Sequence, residues 1–103
     1  MDINEKIESC VTSDRIVLFM KGVPDFPQCG FSAQTVAMLK SLGQEFNSYN
    51  ILEDQELREG LKVYSSWPTF PQLYVNGELI GGCDIMTELF ESGELKTLLE
   101  QDS

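Results

Sequence analysis

Residues 15–21 read RIVLFMK, five successive apolar side chains between two cations. Successive side chains of a β-strand leave opposite faces, so a run with no polar alternation needs cover on both. A chain built around such a strand must lay material on each side of its sheet. The rest of the sequence therefore has to supply amphipathic helices, enough of them for two layers.

It does. Ile3, Ile7, Cys10 and Val11 recur at helical spacing and predict a first helix over 3–13. GVPDFPQ at 22–28 holds two prolines and reads as a loop. Phe31, Thr35, Met38, Leu39 and Leu42 mark one face of a second helix, which Gly43 ends. Phe46 to Ile51 reads as a second strand. Asp54 is placed to cap a third helix with Leu57, Leu61 and Tyr64 on its inner face, and Pro68 prevents its continuation. PQLYV, Asn76-Gly77 and ELI read as two strands joined by a type I′ turn. Gly81-Gly82-Cys83-Asp84 leads into a helix bearing Ile85, Leu89 and Phe90; Gly93 breaks it before a last helix with Leu95, Leu98 and Leu99.

The order is αβαβαββαα. The first two strands are joined through a helix, which implies a right-handed parallel crossover, and the hairpin makes the ending antiparallel. The expected fold is α/β and thioredoxin-like, a four-stranded mixed sheet flanked by about five helices. A length of 103 residues suits a single domain over 1–103 and is too short for two.

Seven Lys+Arg against 17 Asp+Glu leave a formal charge of -10, which argues against nucleic acid or an anionic membrane surface as a partner. An anionic ligand must then be captured by a few well-placed cations. Three cysteines do not suit a disulfide-stapled secreted scaffold, and neither a signal peptide nor a membrane-spanning run is legible. The expectation is a reducing compartment: the cytoplasm of a bacterium, or the mitochondrial matrix or plastid stroma for a processed organellar protein. The absence of histidine excludes Ser-His-Asp and Cys-His nucleophile pairs, His-ligated zinc and Rieske-type clusters.

Cys29 stands at the mouth of the second helix. Unpaired N–H groups and the helix dipole there favour an anion, and Lys21, at the end of the preceding strand, can approach across the loop. Gly30 leaves room for a ligand near the backbone, Phe31 is expected to anchor the helix start, and Ser32 can donate a hydrogen bond. A buried free cysteine of no chemical consequence is the alternative; a position between a proline-rich loop and a helix start disfavours it. Because residue 32 is serine, Cys29 has no resolving sulfur three residues on. It must finish its chemistry with a thiol from elsewhere.

CGFS at 29–32, preceded by KGVPDFPQ and followed by WPTFPQLYVNGELIGGCD at 67–84, resembles the monothiol glutaredoxins of the CGFS type nearly end to end. The resemblance implies a glutathione groove beside Cys29. In it Lys21 and Arg58 take the glycyl carboxylate, although Arg58 on a helix also reads as a plain solvated charge. Thr69-Phe70-Pro71 matches the loop whose proline is cis and whose backbone, at Phe70, pairs with the cysteinyl unit. Many relatives have a β-branched residue at that position, a mild departure that changes the wall and not the backbone donor. Gly82, Cys83 and Asp84 match the residues that receive the γ-glutamyl end: backbone N–H groups take its carboxylate, while Asp84 accepts from its ammonium and also caps the helix. Trp67 and Pro68 are assigned to structure, and Cys10 to core packing.

The family's characteristic ligand is a [2Fe–2S] cluster, which generally wants four thiolates. One chain offers one placed candidate, Cys29, so the resemblance implies a cluster-bridged homodimer with two glutathiones, handing clusters to iron–sulfur recipient proteins. A BolA-type protein can replace one protomer. Cys83 is either a passive thiol or a disulfide partner of Cys29, as in some members. The competing function is glutathione-dependent thiol–disulfide exchange by a monothiol route, and a redox-inert interaction module is a third. The loop from Val23 to Gln28, mostly lacking in dithiol relatives, favours the cluster role.

Overall fold

The computed structural model describes residues 2–100. In chain order its elements are α1 (Ile3–Val11), β1 (Ile16–Met20), β2 (Gly22–Val23), β3 (Phe26–Pro27), α2 (Gly30–Ser41), β4 (Asn47–Asn50), α3 (Gln55–Ser65), β5 (Gln72–Val75), β6 (Glu78–Gly81), α4 (Cys83–Ser92) and α5 (Glu94–Glu100). Residues 1 and 101–103 of the expected domain lie outside the described residues.

All five residues of β1 are buried, and the strand lies inside a four-stranded sheet of order β4-β1-β5-β6. It pairs in parallel with β4, Val17 opposite Asn47, and antiparallel with β5, Leu18 opposite Leu73. Side-chain alternation sorts the strand between two cores. Ile16, Leu18 and Met20 pack with Val36, Leu39, Met86, Leu95 and Leu99 of α2, α4 and α5. Val17 and Phe19 pack with Ile7, Cys10, Val11, Leu57 and Leu61 of α1 and α3. Phe19 stacks on Tyr49 at 5.3 Å and meets Tyr74 edge-on at 5.4 Å. Burying one such side chain contributes about 1.5–3 kcal/mol. A helix cap contributes about 1 kcal/mol, so β1 and its two cores dominate the folding balance.

The local punctuation works as its chemistry dictates. Asp54 caps α3, its carboxylate accepting from the Leu57 N–H at 3.1 Å, and pairs with Lys6 Nζ at 2.6 Å to tie α1 to α3. Asn76 (φ 52°) and Gly77 (φ 80°) are both left-handed, as a type I′ turn between β5 and β6 requires. Gly93, also left-handed at φ 84°, ends α4.

Several expectations are corrected. The first helix stops at Val11, not 13: Thr12 is its C-cap, and the Thr12 and Ser13 hydroxyls satisfy the terminal carbonyls of Glu8 (2.6 Å) and Cys10 (2.7 Å). Residues 22–28 are no irregular loop: β2 and β3 pair antiparallel, Val23 opposite Phe26. Two-residue strands are too short to display a period. This hairpin is pinned at its base, where Asn50 Oδ1 accepts from the Gly22 N–H at 2.9 Å and the Gln28 N–H donates to the Lys21 carbonyl at 2.8 Å. Phe31 does not anchor α2; it is 61% exposed, while Ser32, Thr35, Val36, Met38 and Leu39 turn inward. In α4 the fully buried residue is Met86, and Phe90 lies largely outside the core.

Candidate functional site

Cys29 is the N-cap residue of α2, with extended backbone, and its half-buried sulfur accepts the Ser32 N–H at 3.3 Å. A second hydrogen bond of 3.3 Å joins Sγ to Ser32 Oγ. An ionised sulfur has only acceptor capacity, so with the thiolate the hydroxyl is the donor. Ser32 is itself fully buried, and its Oγ accepts the Lys21 N–H at 3.1 Å. Burial pushes the Cys29 thiol up, but the Ser32 hydroxyl, the Ser32 and Phe31 amides and the Lys21 charge together outweigh it and hold the thiol below the ordinary cysteine value. The site thus holds a nucleophile that is anionic at lower pH than a free thiol.

Beside it runs a cleft of about 400 Å³ between α3, the 67–71 segment and the start of α4. Lys21, Arg58 and Lys62 line it from one side, and Gly82, Cys83 and Asp84 from the α4 end. Three of the chain's seven cations thus meet in one place on a protein of charge -10. Among the described residues neither Lys21 nor Arg58 has an ion-pair partner, and Lys62 pairs with Glu59 at 3.0 Å. Arg58 Nε is buried with no hydrogen-bond partner among the described residues. Gly82 caps α4 without a side chain, and a Cβ there would stand 3.1 Å from both the Pro71 carbonyl and Trp67 Nε1. The Phe70–Pro71 bond is cis. An anionic ligand with a polar backbone fits this cleft: cations for carboxylates on one side, a helix N-terminus on the other.

The glutaredoxin family model matches residues 16–80. The probable monothiol glutaredoxin 2 of Rickettsia conorii is 57% identical over 94 residues, which are 91% of this chain and 88% of that protein. The mitochondrial monothiol glutaredoxin-5 of Saccharomyces cerevisiae is 54% identical over 103 residues, 97% of this chain and 69% of that protein. The solved structure of reduced poplar apo GrxS14 superposes with a TM-score of 0.83 at 58% identity, covering 95% of this chain and 90% of that one. The chain belongs to the monothiol glutaredoxins.

In this glutaredoxin the residues expected from sequence converge on one cleft. Lys21, Arg58, Thr69, Phe70, Pro71, Gly82, Cys83 and Asp84 all line the cleft. Cys29 stands beside it, near enough to Lys21 and Cys83 for their charges to act on one another. Arg58 is half-buried and not a plain surface charge. Asp84 does not cap α4; that place belongs to Gly82, and Asp84 lies in the first turn, where its charge still suits the helix dipole. Trp67 and Pro68, assigned to structure, form part of the wall. Lys62 joins the cleft without any motif to mark it; its one signal in the sequence is the four-residue spacing that sets it on the same helix face as Arg58.

All three cysteines of the glutaredoxin are free. The Cys83 thiol donates to Gln34 Oε1 at 3.4 Å; burial pushes its pKa up, Asp84 and Cys29 add to that, and Thr87 opposes. Cys10 is buried in the core as expected, its thiol raised mainly by burial.

Proposed function

We propose that residues 1–103 act as a single glutaredoxin domain that binds glutathione in the cleft and carries a [2Fe–2S] cluster between two copies of the chain. Each copy contributes the Cys29 thiolate, and bound glutathione supplies a second thiolate per chain. The observation that carries this reading is Cys29 itself, a thiol held below the ordinary cysteine value beside a cleft lined by three cations. Among the described residues no group of three or more Cys, Asp or Glu is arranged to hold a metal ion, so further ligands would have to come from outside the chain.

The cleft residues fit glutathione. Lys21 and Arg58 would take its glycyl carboxylate, with Lys62 as a third cation. The Phe70 backbone, flanked by Thr69 and Pro71, would face its cysteinyl unit. Gly82 and Cys83 would offer N–H groups to the γ-glutamyl carboxylate, and Asp84 an acceptor to the ammonium. The buried, unpartnered Arg58 Nε supports a ligand acceptor on that wall. A cluster held partly by exchangeable thiols suits delivery to recipient proteins, and a BolA-type protein would take one protomer's place. The same reading puts the protein in a reducing compartment, the bacterial cytoplasm or an organelle interior. Among the described residues no helix is long and apolar enough to cross a membrane.

The test is anaerobic reconstitution with iron, sulfide and glutathione. A coloured dimer is expected, and Cys29→Ser should leave a colourless monomer. A colourless wild-type monomer with brisk turnover on a glutathione mixed disulfide would overturn this reading in favour of monothiol oxidoreductase chemistry.

A further inference from the structure

Five successive residues, 67–71, form one wall of the cleft, yet they belong to no helix or strand. A wall without a backbone ladder needs another means of holding its shape. The means is a buried side chain behind it. Gln72, the first residue of β5, is fully buried. Its Nε2 donates to the Trp67 carbonyl at 3.1 Å, the Thr69 carbonyl at 3.2 Å and Ser65 Oγ at 3.3 Å. Ser65 Oγ in turn accepts the Trp67 N–H at 3.1 Å.

The amide cannot turn over. Its Oε1 accepts from the Tyr74 hydroxyl at 3.2 Å, and Tyr74 is buried with its ring edge-on to Phe19. Reversing the amide would set its oxygen against the Trp67 and Thr69 carbonyls, neither of which can donate. The β1–β5 core therefore fixes Tyr74, Tyr74 fixes the Gln72 amide, and the amide draws two carbonyls of the wall inward.

We propose that Gln72 is a positioning residue for the cleft, setting the form in which the 67–71 wall meets glutathione. The inference rests on the glutathione reading above. Gln72 acts through the wall, since it is fully buried and does not line the cleft. The groups that stabilise the Cys29 thiolate, Ser32, Phe31 and Lys21, lie on other elements. Losing the Gln72 donors should weaken ligand capture and leave thiol ionisation alone.

Two variants separate this from a general loss of stability. Gln72→Met keeps the length and removes the donors; Gln72→Glu keeps the Tyr74 acceptor but sets a carboxylate against carbonyl oxygens. Glutathione is titrated calorimetrically into full-length wild type and variants at a temperature where circular dichroism reports all of them folded. Both variants are expected to bind about tenfold more weakly at pH 8, with the Cys29 thiolate absorbance midpoint unmoved. Relative to wild type at the same pH, Gln72→Glu should recover affinity as the pH is lowered and its buried carboxyl takes up a proton and donates again. Folded variants that bind within twofold of wild type would overturn the proposal, and so would a Cys29 midpoint that moves along with affinity. A wild-type protein that takes up no glutathione overturns the ligand reading instead, and this inference with it.

Discussion

The Ser32 hydroxyl stands between the Lys21 backbone and the Cys29 sulfur, 3.1 Å from the first and 3.3 Å from the second. The residue that removes a resolving thiol from the motif thus stabilises the remaining one. Ser32→Ala should raise the Cys29 pKa and leave the Lys21 N–H without its acceptor. Hydrogen bonds to charged groups contribute about 1.5–3 kcal/mol, so iodoacetamide alkylation at pH 7 should slow about tenfold. In the wild type, alkylation mapped by mass spectrometry across pH should modify Cys29 at lower pH than Cys83, whose thiol is pushed the other way. Equal profiles for the two would refute the assignment.

Arg58 and Lys62 line the same cleft but stand differently, since Lys62 is already paired with Glu59 at 3.0 Å. Arg58→Gln should weaken glutathione binding about tenfold, the range of a charge-assisted hydrogen bond. Lys62→Gln should cost about two- to threefold, as befits a partly exposed charge. Titration calorimetry at low and high salt checks both, and wild-type affinity should fall more steeply with salt than that of Arg58→Gln.

Asp54 combines a cap and an ion pair. The Lys6 hydrogen bond and then the Leu57 amide hold its carboxyl below the usual aspartate value. A depressed folded-state pKa means the stabilisation is present above the unfolded value and lost as pH falls through the folded one. Asp54→Asn keeps a capping oxygen and loses only the solvent-screened pair, a small effect, while Asp54→Ala loses the cap as well and should cost about 1 kcal/mol more. Thermal unfolding followed against pH should show the wild-type and Asp54→Asn curves converging at acid pH. A constant gap would refute the assignment.

Gly22 is left-handed at φ +93°, and a Cβ there would come within 2.6 Å of the Phe26 carbonyl and 2.7 Å of the Gln28 nitrogen. Gly22→Ala should destabilise the chain by about 1–3 kcal/mol and loosen the β2–β3 hairpin that precedes Cys29. Chemical denaturation measures the first effect and amide exchange at Gln28 the second. An unchanged midpoint would mean that the hairpin yields without strain.

The sequence alone determines whatever local chemistry enforces. An unbroken apolar strand demands two covered faces, and β1 has them; Asn-Gly demands a left-handed turn; an aspartate ahead of a helical stripe caps it; a cysteine at a helix mouth becomes an N-cap. The motif spacing also brought most of the cleft within reach. Hidden were relations between residues that meet only through folding. Ser32 reaches Lys21 across eleven positions, and Asn50 reaches Gly22 across 28. Phe31 carries an apolar side chain but faces outward, because the face of α2 that packs on the core is the one bearing Ser32, Thr35, Val36 and Leu39. Gln72 looks like an ordinary polar strand residue until the chain closes over it and two carbonyls and two hydroxyls take the place of water. Nearest-neighbour preferences are written into short stretches of chain, whereas burial and long-range hydrogen bonds exist only once distant segments share a volume.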